Sequence, residues 1–158
     1  MTANSNAITI TWTGNDGTGT ADGSFSRESE IAADGRPTIP ASPPANFAGA
    51  EGGWSPEDLL AAAVSQCHML WFLHLCARNG VIVQSYVDNA TATLETQGSK
   101  GSITAVALRA TVGISAGEAE LTHSLFEKAG DLCYIAKSLN CPVTHHLDVV
   151  IDPGAART

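Results

Sequence analysis

The sequence predicts a single α+β domain over residues 1–158, with antiparallel sheets and two helices, one of them long, central and apolar. Three observations lead to this prediction. Alternating β-branched segments occur before, between and after two stretches of helical character. Turn-rich stretches separate the alternating segments, and residues 55–77 are apolar almost all round. A chain of 158 residues is long enough to bury one core.

The N-terminal part predicts a β-hairpin followed by a long loop. "AITITWTG" (7–14) alternates Thr with Ile or Trp, and "TADGSFSRESEI" (20–31) follows the turn-rich "GNDGTG". Residues 32–54 are dense in Pro, Gly and Ala without any sustained period. Loops of this length in compact domains are often functional.

The first helix is predicted to begin after Ser55 and to end near "RNG" (78–80). Ser55 is a good N-cap and Pro56 suits the first helical position. Glu57 adds negative charge where the helix dipole favours it. Gly80 can close the other end as a C-cap.

The C-terminal half predicts a second hairpin, a second helix and a last strand. "VIVQSYVDNATATLET" and "SITAVALRATVGI" flank the turn signal "QGSKGS". Ser115 and Glu118 have the spacing of a capping box. The helix after them carries an apolar stripe that predicts it to run until "NCP" (140–142): Leu121, Leu125, Leu132, Ala136 and Leu139. "LDVVI" (147–151) is the last predicted strand, so the order is ββαββαβ, and residues 152–158 are predicted to be a loose tail.

Composition excludes several classes of partner. Lys plus Arg number 8 against 16 Asp plus Glu, a formal charge of -8, with no basic stretch to follow phosphates or an anionic membrane. We therefore expect neither a nucleic acid nor a membrane as partner. The N-terminal residues have no export signal, so we expect a cytoplasmic protein. The apolar stretch 59–77 contains Gln66, His68 and His74, which are costly in hydrocarbon, so a buried helix is the better interpretation.

A helix that is apolar on every face needs cover on every face, which one small sheet does not supply. We therefore expect a homodimer in which the first helix lies between subunits.

The four cysteines differ in what their positions allow. Four cysteines in a reducing compartment are more often buried, catalytic or metal-binding than part of a disulfide framework. Cys67 and Cys76 are nine residues apart on one helix, about 13.5 Å along its axis and on opposite faces, so they cannot bridge. Cys67 needs a partner from elsewhere, and Cys133 and Cys141 both remain open. All four are equally consistent with buried, unreactive thiols.

Histidines near these cysteines offer two weaker alternatives. His68 adjoins Cys67, but neighbours on a helix do not face each other, so His68 and His74 are expected in the core or an interface. A zinc site from Cys133, Cys141 and the pair 145–146 lacks a C-x-x-C motif. We therefore expect no metal and no cofactor.

Two segments resemble the OsmC/Ohr family, the osmotically inducible and organic hydroperoxide resistance proteins. "SPEDLLAAAVSQCHMLWFL" is similar to the family's P-E-x-L-x-A-A-x-x-x-C-x segment, and "KAGDLCYIAKSL" (128–139) to the helix that carries its other thiol. The sequence departs from the family by having Tyr134 and Ile135 after the second cysteine, while "CPVTH" at Cys141 is similar to the residues that usually follow that cysteine. The order of elements matches along nearly the whole chain. The resemblance implies an OsmC-like fold in an intertwined homodimer.

The resemblance also implies the site residues. Cys67 would be the reactive thiol and Cys133 the resolving thiol, with Cys141 as the alternate. Glu57 matches the family's glutamate, and Arg27 is preferred over Arg36 as its arginine because Arg27 is predicted on a strand. A cysteine in an apolar site stays protonated and inert, and a nearby guanidinium would reverse this.

Glu57 lies about 15 Å before Cys67 on the helix. We therefore expect Glu57 to act on the thiol only through the arginine, or across the interface from the second chain.

The activity implied is a thiol peroxidase of the oxidative stress response. Cys67 would reduce an organic hydroperoxide, Cys133 would form a disulfide with it, and an external dithiol, in the family sometimes a lipoylated protein, would reduce that disulfide. The apolar wall expected around Cys67 comprises Met69, Leu70, Trp71, Pro43, Pro44 and Phe47, which suits an alkyl or fatty acyl hydroperoxide. The alternative is a non-enzymatic OsmC-like module that binds an apolar ligand or senses oxidation.

Overall fold

The computed structural model describes residues 3–21 and 23–151. The predicted tail, 152–158, lies outside the described residues. The chain divides into two compact units, with the boundary between Leu59 and Leu60, and the units are described in turn.

The first unit contains a small antiparallel sheet. Its strands are β1 (Thr9–Trp12), β2 (Ser29–Ala32) and β3 (Ile39–Ala41), in the order β1-β2-β3. The predicted N-terminal hairpin is confirmed, since Thr9 pairs with Ala32. The predicted loop 32–54 was wrong in part, because it contains β3 and a short 3-10 turn, Ala45–Phe47. Pro40 lies on the edge strand β3. Its carbonyl faces away from β2 and accepts from the Trp54 amide at 2.9 Å, so the β2 ladder does not need the N–H that proline lacks.

Helix α1 spans Pro56–Arg78, as the sequence predicts. Ser55 caps its first turn: its Oγ accepts from the Asp58 amide at 3.1 Å, and the Asp58 carboxylate accepts from the Ser55 amide at 3.0 Å. At the other end Gly80 adopts a φ of 73°, the left-handed conformation that ends helices.

Only one stripe of α1 is buried, although the helix is apolar nearly all round. The stripe follows helical spacing and comprises Ala61, Val64, His68, Phe72, Leu75 and Cys76. By length and composition α1 could cross a membrane, and 33% of its most apolar window is buried within the chain. One such helix is weak evidence for a span, since the core helix of a soluble protein passes the same test.

The second unit holds a mixed sheet built on one long strand. Its strands are β4 (Ile82–Asp88), β5 (Thr91–Gln97), β6 (Lys100–Ala116) and β7 (Val143–Ile151). β4 and β5 pair antiparallel with successive parts of β6, and β7 pairs with residues 106–114 of β6 in parallel. The hairpin predicted at "QGSKGS" is confirmed between β5 and β6.

The segment 81–96, predicted as one strand, is two strands. The chain turns at Asn89, whose amide donates to the Arg109 carbonyl at 3.0 Å. Asp88 fixes the same turn, because its carboxylate accepts from the Arg109 amide at 2.7 Å.

Helix α2 spans Ala119–Leu132, and both predicted ends were wrong. Ser115 does not cap it, because β6 continues through Ala116 and the Ser115 hydroxyl accepts from Gln84 at 2.9 Å. Glu118 is the N-cap residue and makes no side-chain cap bond. The helix stops at Leu132 and not at Leu139, because Cys133 takes an extended conformation with a ψ of 107°.

The core of the second unit lies between the sheet and the two helices. It is made of Phe72, Leu75, Cys76, Val81, Ala110, Val112, Ile114, Leu125, Phe126, Ala129 and Leu147. The predicted α+β architecture with antiparallel sheets and two helices is therefore confirmed, and the observed order is βββαβββαβ. The parallel β6–β7 pair was not predicted.

Candidate active site

Cys67 lies on the exposed side of α1 and lines an open pocket of about 490 Å³. The thiol is half-buried, one residue along from the inward-facing stripe. The pocket wall comes from α1 and from the two residues that follow Cys133: Ala63, Gln66, Cys67, Leu70, Trp71, His74, Tyr134 and Ile135. Of the residues predicted for this wall, Leu70 and Trp71 line it and Met69 does not.

Aromatic side chains shape the pocket. Trp71 contacts Tyr134 edge-on with a centroid distance of 5.6 Å, and His74 at 5.9 Å. Leu70 is 59% exposed and Tyr134 is 67% exposed, so the wall is apolar and open. Lining of this kind is typical of pockets that bind apolar molecules, and the Cys67 sulfur belongs to it.

Cys133 lies behind Cys67 and is fully buried. It is the C-cap residue of α2, which turns its sulfur toward α1. The thiol donates to the Val64 carbonyl at 3.9 Å and accepts from the Ala136 amide at 3.4 Å. Burial raises the pKa of Cys133, and a side-chain hydrogen bond with Cys67 raises it further, while the Ala136 amide lowers it. The two thiols are therefore neighbours, and Cys133 is held in its protonated form.

The other two cysteines do not line the pocket. Cys76 is buried in the main core, and burial raises its pKa to about 11, which makes it inert. Cys141 is half-buried and packs with Val143 beside a second apolar cluster that contains Val64. Cys141 does not line the pocket of Cys67.

The charged residues of the predicted site belong to the first unit. Arg27 precedes β2 by two residues, so its predicted place on a strand was wrong, and its guanidinium lies 4.8 Å from the centre of the Phe25 ring. Arg36 is exposed in the turn after β2. Glu57 lies in the first turn of α1, and its Oε2 atom is buried without a hydrogen-bond partner among residues 3–21 and 23–151. Within that part of the chain no arginine pairs with Glu57.

The sequence did not predict the role of His145, which stacks on buried His68. The ring centroids are 4.9 Å apart with an interplanar angle of 28°. Burial lowers the pKa of His68 to about 4, aided by His145, and burial also lowers the pKa of His145. The contact joins α1 to β7 over a long sequence distance, so no local pattern could have indicated it.

The residues considered for zinc are not gathered. His145 stacks on His68, and His146 contacts Asp148 at 3.5 Å. In the part of the chain that the structure describes, no group of three or more His, Cys, Asp or Glu side chains is arranged to hold a metal ion.

Comparison with known structures shows the same fold elsewhere. An OsmC-like protein of unknown function from Vibrio cholerae is 29% identical, with a TM-score of 0.84, over 92% of this chain and 100% of its own. An organic hydroperoxide resistance protein OsmC from Legionella pneumophila is 17% identical, with a TM-score of 0.66, over 94% and 98%. One from Elizabethkingia anophelis is 19% identical, with a TM-score of 0.67, over 96% and 99%.

The comparison by sequence points the same way. No curated protein matches this chain. The model of the family described as OsmC-like protein matches residues 49–148, which include α1, Cys67, Cys133 and most of β7. The match covers well over half of the chain, and the chain therefore belongs to the OsmC-like family.

Proposed function

We propose that this protein is a cysteine-dependent peroxidase that reduces organic hydroperoxides to alcohols. The observation that carries the proposal is the arrangement of its two thiols: Cys67 lines an apolar pocket, and Cys133 lies buried directly behind it. One sulfur is thus accessible to an apolar substrate and the other only to the first. Relatives of the same fold include proteins described as organic hydroperoxide resistance proteins.

The proposed cycle has three balanced steps. The Cys67 thiolate attacks the distal peroxide oxygen, the O–O bond breaks, and the alcohol leaves after taking up a proton. Cys133 then attacks the Cys67 sulfenic acid, which releases water and forms a Cys67–Cys133 disulfide. An external dithiol, for instance a lipoylated protein, gives two electrons and two protons to restore both thiols.

Activation of Cys67 needs a cation, since an apolar site favours the neutral thiol. We assign this part to Arg27, oriented by Glu57 through a bidentate pair of the kind that arginine and carboxylates form. The buried, unpartnered Oε2 of Glu57 supports the assignment, because a buried carboxylate oxygen without a partner is unfavourable. Arg36 remains the alternate.

We also propose that the protein works as a cytoplasmic homodimer, without nucleic acid or membrane as partner. The exposed apolar side of α1 supports the dimer, since Leu70 and its neighbours would otherwise face water.

Steady-state turnover of cumene hydroperoxide with a dithiol reductant tests the proposal. Cys67→Ser is expected to abolish turnover, and Cys76→Ala, which removes a buried thiol far from the pocket, is the matched control that retains it. Equal activity of the Cys67→Ser variant and the wild type would show that Cys67 is not the reactive thiol.

The second candidate is a non-enzymatic module that binds an apolar ligand or senses oxidation. It is favoured by the Oε2 atom of Glu57, which has no hydrogen-bond partner among residues 3–21 and 23–151. A thiol without an activating pair stays protonated and reacts too slowly for turnover. The same assay separates the two candidates, since a sensor consumes about one equivalent of peroxide and shows no turnover.

A further inference from the structure

Two histidines stack on each other at the apolar core, outside the steps of the proposed cycle. His68 is fully buried and follows Cys67 on α1, while His145 comes from β7. The Phe126 ring lies edge-on to both imidazole rings, with centroid distances of 4.3 Å to His68 and 6.3 Å to His145. Polar rings in such a place are unfavourable unless hydrogen-bonded, so their contacts indicate what they do there.

His68 ties α1 to α2. Its Nε2 lies 3.0 Å from the Phe126 carbonyl oxygen. A carbonyl oxygen only accepts, so Nε2 carries a proton and donates it. Burial lowers the pKa of His68 to about 4, so near neutral pH the ring is uncharged and Nδ1 carries no proton. Nδ1 is buried and has no partner among the described residues. Among the described residues, the bond to the Phe126 carbonyl is therefore the hydrogen bond by which the buried His68 ring joins the two helices.

His145 presses against α2 nearer its end. A Cβ placed on Gly130 would lie 2.8 Å from Cε1 and 2.9 Å from Nε2 of His145, closer than real Cβ contacts come. Glycine weakens a helix interior, so its presence at 130 is explained by the space that the imidazole needs. The Gly130 carbonyl in turn accepts from the Cys133 amide at 3.2 Å, which sets the C-cap.

We propose that His68 and His145 are positioning residues that hold the C-terminal end of α2, and with it Cys133, against the Cys67 turn of α1. Two ties then join the helices: His68 to Phe126, and Cys133 to the Val64 carbonyl one turn before His68. The inference rests on the proposed function only in taking Cys67 and Cys133 as the thiols that must meet.

The first test measures disulfide exchange and uses no peroxide. The protein is equilibrated with oxidised and reduced dithiothreitol, so that one disulfide forms as the other is reduced, and the Cys67–Cys133 disulfide is quantified by mass spectrometry. His68→Leu removes the donor and is expected to lower the equilibrium constant by about fivefold to tenfold. His68→Gln, whose amide nitrogen can take the place of Nε2, is expected to stay near the wild type.

Comparison of the two variants separates a positioning role from a packing role. If His68 only fills space in the core, His68→Leu should be tolerated better than His68→Gln. Where His68→Leu does not fold, His68→Asn replaces it, because its shorter amide does not reach Phe126. An unchanged constant in the donor-free variant, or an equal loss in His68→Gln, overturns the inference. If the proposed peroxidase function is wrong, the protein will show normal disulfide exchange but no turnover of peroxide, so the two failures can be told apart.

The second test addresses His145 through Gly130. Gly130→Ala is expected to lower the disulfide equilibrium constant in the wild-type background, because the new methyl group pushes the imidazole away from α2. In a His145→Ala background the same change is expected to have no such effect, since the obstructing ring is gone. An equal effect of Gly130→Ala in both backgrounds would show that His145 does not set the position of α2.

Discussion

At the scale of residues, the site depends on a difference in exposure between two neighbouring thiols. Cys67 is half-buried beside Trp71 in the pocket, whereas Cys133 is completely enclosed. A molecule in the pocket can therefore reach the first sulfur and not the second. In the proposed cycle this asymmetry sets the order of the two chemical steps.

Replacement of Arg27 by alanine is expected to slow peroxide reduction by about 10²-fold, the loss typical when a charge-stabilising group is removed. Its contact with Phe25 is exposed, so the thermal midpoint is expected to change little. Stopped-flow oxidation of Cys67 and a melting curve measure the two effects. Arg36→Ala is the matched control, and if it proves the crippling change, the arginine has been assigned to the wrong residue.

From the sequence, the place of a residue in the fold could be predicted where a local motif was present. Cys67 and Glu57 lie in one continuous segment that begins at the Ser55 cap, so their neighbourhood could be inferred. The contact between His145 and Gly130 joins two elements far apart in sequence. The reason for that glycine therefore could not be predicted.

At the scale of elements, α1 followed its sequence signals and α2 did not. Ala136 and Leu139 continue the apolar stripe of α2 in sequence, yet both lie beyond the helix. Ala136 begins a 3-10 turn, Ala136–Ser138, and Leu139 follows it in an extended conformation. Both pack against the cluster that contains Val64. Both side chains still face the core after the helix has ended. Their apolar spacing therefore predicted a longer helix. Just after the stop at Leu132, the Cys133 thiol lies 3.9 Å from the Val64 carbonyl, a tertiary contact that no helix signal in the sequence records.

The prediction at the scale of elements concerns the Ser55 cap of α1. Ser55→Ala is expected to lower the free energy of unfolding by about 1 kcal/mol, because it leaves the Asp58 amide without its side-chain acceptor. Urea unfolding measures the change. Ser115→Ala is the matched control and is expected to change stability by less than about 0.5 kcal/mol, since Ser115 only joins an exposed pair with Gln84. A larger loss for Ser115 would contradict the capping assigned here.

At the scale of the whole molecule, the exposed apolar side of α1 is the feature that a single chain leaves open. The protein is expected to be a dimer at micromolar concentration, and Leu70→Lys, which puts a charge on this side of the helix, is expected to shift it toward the monomer. Light scattering measures the mass. A monomeric wild type would remove the dimer and any sharing of the active site between chains.

Acid is expected to destabilise the folded protein through its buried histidines. The pKa of His68 is about 4 in the folded state against 6.5 for a free histidine. Between these pH values His68 binds a proton in the unfolded chain but not in the folded one. The free energy of unfolding therefore falls as the pH falls from 6.5 to 4. The loss is on the order of 3 kcal/mol for His68.

His145 acts in the same direction, and the carboxylates facing it, Asp88, Glu127 and Asp131, oppose the effect in part. Denaturant unfolding across this pH range measures the slope. His68→Gln is expected to flatten it, and an equally steep slope in that variant would contradict the assignment to His68.

The central claim is that Cys67 and Cys133 form the redox pair, and the disulfide made after one equivalent of organic hydroperoxide tests it most directly. Mass spectrometry of the non-reduced, digested protein is expected to find Cys67 linked to Cys133, with Cys76 and Cys141 still free. The Cys133→Ser variant is expected to consume about one equivalent and then stop, with Cys67 open to over-oxidation. A disulfide between Cys67 and Cys141, or turnover without any disulfide, would contradict the account.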